Sequence, residues 1–119
     1  MVRGIVIPAV NFLPLEEREF DGLQQYQDAV GGYIEATCVA EPALTFFVNE
    51  DGKARGLSVN ERATLLWWLL APQARGNDLI VGDAVLSNAN DAGADDVAAL
   101  LQHQGPFLVE VQVIAAPAT

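Results

Sequence analysis

The sequence predicts an α+β fold: a mostly antiparallel sheet packed on a central apolar helix at about 58–70, with two shorter helices. Three observations carry this. Ser58 to Leu70 has helical spacing and no polar side chain beyond Thr64. Several short segments alternate polar and apolar residues between Gly and Pro breakers, as half-buried strands do. These strand and helix segments intermix without a regular strand–helix–strand repeat, which disfavours a parallel sheet. At 119 residues the chain fits one domain, 1–119.

Val2 to Val10 is rich in β-formers and reads as the first strand, with Pro8 marking an edge or bulge. Glu16 to Val30 is charged at its start and apolar at Phe20, Leu23, Tyr26 and Val30, the spacing of a short helix. Asp21 is placed to cap a shorter version of it. Gly31-Gly32 ends it, since glycine takes the left-handed position without Cβ strain. Tyr33 to Val39 alternates, with Tyr33, Glu35, Thr37 and Val39 on one side and Ile34, Ala36 and Cys38 on the other. Leu44 to Asn49 is the next strand. Asn49 to Lys53 reads as a tight turn, with Asp51-Gly52 supplying the positive φ a hairpin needs and Ala54 to Leu57 as a short return strand.

The central helix then opens at Ser58, which has capping-box spacing to Glu61, with Asn60 a competing cap. Val59, Ala63, Leu66, Trp67 and Leu70 form one apolar face; Leu65, Trp68 and Leu69 form a second. A helix apolar all round must be covered all round. Pro72 and Gly76 stop it. Leu79 to Ser87 is one strand with a bulge at Gly82, or two strands joined at Gly82-Asp83, with Gly82 at positive φ. Asn88 to Ala94 is a loop, Asp95 to Gln102 a short helix, and Phe107 to Ala115 a final strand.

The net charge is −10, with only six basic residues, so nothing clusters to neutralise nucleic-acid phosphates or anionic lipid. The acidity serves solubility or a basic partner. One cysteine excludes an internal disulfide. The longest apolar run, Leu65 to Ala71, is far short of the roughly 20 residues that span a bilayer. The N-terminus reads as a strand rather than a signal peptide, which predicts a cytoplasmic protein.

Gly31 to Glu35, Val48 to Lys53, Asn60 and Ala63, then Ile80 to Ala84 resemble, in order and spacing, the blocks of domain-of-unknown-function family 3846. The resemblance covers roughly residues 2 to 88. It implies a small stand-alone protein of bacteriophages, plasmids and their bacterial hosts, and it implies no particular activity.

Few residues have the pattern of chemistry. His103 is the sole histidine and Cys38 the sole cysteine. The bland account of each is structural, at a helix end and inside a strand respectively. Glu35 and Asp83 both fall in the family blocks, and two carboxylates brought together bind a cation or serve as an acid–base pair. Against this, Asp83 in a turn tends to bond its own backbone, and Glu35 can face water or pair with Arg55 or Arg62. No phosphate loop, dinucleotide fingerprint or zinc pattern is present, and no cofactor or metal is expected.

The residues expected to bind are Tyr33, Glu35, Asp83 and Trp68. The function expected is non-catalytic: a small acidic phage-type protein that binds a host protein, to take over the host or blunt its defences. Its partner would be that host protein or a second copy, a homodimer through Trp68, Leu65 and Leu69. The alternative is a small-molecule or nucleotide binder or hydrolase using Glu35 and Asp83.

Overall fold

The structure is a computed structural model; it describes residues 2–38, 44–88 and 97. Among these, five antiparallel strands and two α-helices form an α+β fold. The strands are β1 (Val2–Ile7), β2 (Glu16–Phe20), β3 (Ile34–Cys38), β4 (Leu44–Asn49) and β5 (Ala84–Asn88), in spatial order β2-β1-β5-β4-β3. The helices are α1 (Leu23–Val30) and α2 (Glu61–Leu70), and a 3₁₀ turn follows at Pro72–Ala74.

Alternation along the strands divides the core into two clusters on opposite faces of the sheet. On one face, Ile5, Ile7, Phe46 and Leu86 cluster with Ala63, Leu66 and Trp67 of α2, and Val97 is buried among them. On the other, Val6 and Val85 cluster with Phe20 and with Val30 of α1, and Tyr26 stacks on Phe20 with ring centroids 4.5 Å apart. Gly4 is what lets Phe20 lie flat on this face, because a Cβ there would sit 2.8 Å from the ring.

The expected helix over Glu16–Val30 divides into β2 and the shorter α1. Val2–Val6 of β1 offers a strand edge, and pairing along it places Val2 opposite Phe20 and Val6 opposite Glu16. The charges of this segment sit on an edge strand, where Glu17 pairs with Arg3 and Glu16 with Arg18. Asp21 does not cap α1: the N-cap is Gly22, and Asp21's own N–H donates to the Gln25 side chain. Gly31 takes the left-handed C-cap, with φ 77°.

The expected return strand over Ala54–Leu57 is a run of turns instead. The Asn49 side chain accepts the Asp51 N–H, and the Leu57 N–H closes back on the Gly52 carbonyl. Both edges of β4 are already taken by β3 and β5, so no partner remains for a return strand. Positive φ falls at Gly56 rather than Gly52. Asn60, not Ser58, caps α2, and Val59 lies outside the helix in an isolated bridge to Val81. Gly82 has φ 75°, between that bridge and β5. Residue Val39, the 89–94 part of the loop, Asp95–Gln102 apart from Val97, His103 and Phe107–Ala115 lie outside the described residues, as does the Cys38 side chain.

Candidate binding surface

Glu35 and Asp83 are not brought together. Glu35 is opposite Val48 on β4, on the α2 side of the sheet. It lines a cavity of about 90 Å³ with Thr37, Trp67 and Ile80, near the Lys53–Asp78 ion pair. Hydrogen bonding from Lys53 holds the Asp78 carboxyl below its ordinary value, against a smaller opposing effect of burial. Asp83 lines a different cavity, of about 370 Å³, with Val10, Asp28 and Arg55. Its carboxylate accepts the Ala9 N–H at 2.9 Å. Tyr33, 69% exposed, stands at a third hollow beside the end of α1. Arg55 donates to the Gly31 carbonyl at 3.2 Å, so it bonds a helix end rather than Glu35.

Trp68 is half-buried. Its indole N–H donates to the Asp78 carbonyl at 2.9 Å, and with Leu65 and Leu69 it packs at the margin of the α2 cluster. The second face of α2 is therefore partly covered.

Among the described residues, the connection between β1 and β2 is tied by many hydrogen bonds to the first turn of α2 and to its surroundings. Asn60 is fully buried. Its Oδ1 caps the helix by accepting the Ala63 N–H at 3.0 Å. Its Nδ2 donates to the Ile7 carbonyl at 2.7 Å and to the Gly82 carbonyl at 2.9 Å. One side chain thus ties the end of β1, the turn before β5 and the start of α2.

Two residues on, Arg62 is 3% exposed. Its Nη1 donates to the Leu13 carbonyl at 2.7 Å, and its Nη2 to the Pro8 carbonyl at 2.8 Å and the Val10 carbonyl at 3.1 Å. Burial pushes the Arg62 guanidinium below its ordinary value, and the Asp83 carboxylate opposes that. Among the described residues its Nε has no hydrogen-bond partner. Asn11 adds a side-chain bond to Glu61 at 2.8 Å. Above this scaffold Phe12 is 86% exposed, flanked by Val10 at 42% and Leu13 at 43%.

Sequence reasoning missed this surface, although two signals were present. Arg62 is a lone cation in a helix with little other polarity, and Phe12-Leu13 are bulky apolar residues in a segment bracketed by Pro8 and Pro14. Among the described residues no group of three or more His, Cys, Asp or Glu is placed to hold a metal ion, and no helix is long and apolar enough to cross a membrane.

The fold and surface define a small acidic α+β domain with a five-stranded antiparallel sheet and a clamped apolar loop. The chain belongs to DUF3846, a domain of unknown function, whose family profile matches residues 2–106. No curated protein and no solved structure matches it.

Proposed function

We propose that this chain is a non-catalytic effector of phage type that works in the cytoplasm of a host cell by binding a host protein. The observation that carries this is Phe12, 86% exposed on a loop anchored from below. A large aromatic side chain held in water gains most by entering a partner's pocket, and aromatic residues dominate interface energetics. The net charge of −10 supports a basic partner over nucleic acid. On this reading α2 is the apolar element on which the sheet rests, and its first turn sets the loop.

Self-association is a second reading, favoured by the half-exposed Trp68 beside Leu65 and Leu69. Binding or hydrolysis of a small molecule by Glu35 and Asp83 together has less support, because the two line separate cavities. The test is affinity capture from host lysate with wild type beside Phe12→Asp. The variant is expected to stay folded within about 0.5 kcal/mol, as exposed substitutions do. A stoichiometric host protein held by wild type and lost by Phe12→Asp supports the reading. The same protein held equally by both removes the loop from the interface.

A further inference from the structure

Arg62 is an unusual group to bury. It has no carboxylate within ion-pair distance among the described residues, and its bonds run to main-chain carbonyls of one loop. A buried charge is costly to desolvate, and apolar side chains of similar volume often serve stability as well or better. What an apolar residue cannot supply is a planar fork of donors fixing three carbonyls at once. The Ala9 N–H is fixed separately by Asp83, Asn11 is held by Glu61, and the Leu13 N–H closes on the Val10 carbonyl. Every one of these bonds restrains the segment that carries Phe12. Immobilising such a segment in advance reduces the ordering cost when a partner binds.

The charges around the tip are acidic in balance, although Arg18 is paired with Glu16 and Arg55 shares the Val10–Asp83 cavity with Asp28. Residues 8–15 carry none, and Glu16, Glu61 and Asp83 border them. The cation beneath, Arg62, is shielded from solvent.

Resting on the reading of Phe12 as the interface residue, we propose that Arg62 is a positioning residue that presents Phe12 to a partner protein whose binding site is an apolar pocket rimmed by Lys and Arg.

The test places the photo-crosslinking residue benzoylphenylalanine at position 12 and irradiates the otherwise intact protein in host lysate. The adduct is expected to map to an apolar pocket with basic residues at its edge. Its yield should fall several-fold between about 0.05 and 0.5 M NaCl, because exposed charge pairs across the rim are screened. Arg62→Lys in the same labelled protein keeps the charge and loses the fork. It is expected to cut the yield about fivefold and to raise amide exchange at Ala9 and Leu13 about tenfold, leaving Ile5 and Leu86 protected. Asp83→Ala is a second variant, which removes the acceptor of the Ala9 N–H and should raise exchange most at Ala9.

Absence of any adduct overturns the loop as an interface, and with it the proposed partner. An adduct undiminished by Arg62→Lys, with unchanged exchange at Ala9 and Leu13, overturns only the role of Arg62. An adduct on a second copy of this chain, or on an acidic or flat surface, overturns the partner chemistry.

Discussion

Asn60→Ala isolates what one buried amide does for three elements. Loss of the helix cap costs about 1 kcal/mol. The carbonyls of Ile7 and Gly82 each lose a buried donor, at about 1 kcal/mol apiece, the low end because each keeps a second lone pair for other partners. The sum is about 3 kcal/mol, a large part of the roughly 5–15 kcal/mol that holds a domain of this kind folded. Asn60→Asp separates the contributions. A carboxylate caps a helix as well as an amide does, but it has no donor and faces two carbonyl oxygens. At pH 7 this variant should therefore be at least as unstable as Asn60→Ala. Burial among acceptors raises the new carboxyl's folded pKa above its unfolded value of about 3.9. The folded state then binds the proton more tightly, so the deficit shrinks as pH falls from 7 towards about 4. Urea melts across that range read both effects. A melt of Asn60→Asp within about 0.5 kcal/mol of wild type at pH 7 would show that only capping matters and refute the three-way tie.

Four further outcomes are expected. Trp67→Ala should cost about 3–5 kcal/mol in urea melts, since the ring is 9% exposed within the α2 cluster; a loss below about 1 kcal/mol contradicts that placement. Gly82→Val should destabilise by about 2 kcal/mol or more, because φ is 75° and a Cβ would lie 2.8 Å from Leu57 Cδ1; a neutral melt refutes the conformation. Lys53→Met should raise the Asp78 titration midpoint seen by carboxyl NMR, and an unmoved midpoint removes the ion pair as its cause. The stability that the depressed carboxyl contributes is present above its unfolded pKa and is lost as pH falls through the folded one. If α2 carries a homodimer contact, light scattering should find wild type dimeric and Trp68→Glu a folded monomer; a monomeric wild type, with Trp68→Glu unfolded, places Trp68 in the core.

The C-terminal end of Leu44–Asn49 was legible, because its apolar run meets turn residues from Asn49 onward. The positive φ at Gly82 was legible too, since the glycine interrupts an otherwise β-forming run. Glu16–Phe20 was not. Its apolar residue at Phe20 happens to continue the helical spacing of Leu23, Tyr26 and Val30, and only pairing with β1 decides the matter. The return strand over Ala54–Leu57 failed for a related reason: strand order is a long-range property, and β5 claims the edge a hairpin would use. Arg62 was hidden because sequence alone does not show that a helix cation turns inward towards carbonyls some 50 residues earlier. Glu35 and Asp83 share the family blocks but not a cavity, as neighbourhood in a pattern does not fix neighbourhood in space.

The strand order has a consequence for the chain as it is made. β1 lies between β2 and β5, with Gly4 opposite Ser87. A ribosome adding about 5–20 residues per second needs about 3–14 s to travel from the end of β2 to the end of β5. Through that interval Val2–Ile7, with its apolar stretch Ile5–Ile7, has a partner along one side only. The consecutive charges of Glu16 to Glu19 guard the far side of the nascent hairpin against another chain. Among the described residues, no strand covers the near side until β5 emerges. Slowing translation between codons 20 and 88 should therefore lower soluble yield more than slowing it elsewhere, and substitutions that neutralise Glu17 and Glu19 should deepen that loss while barely altering the melt of the finished protein.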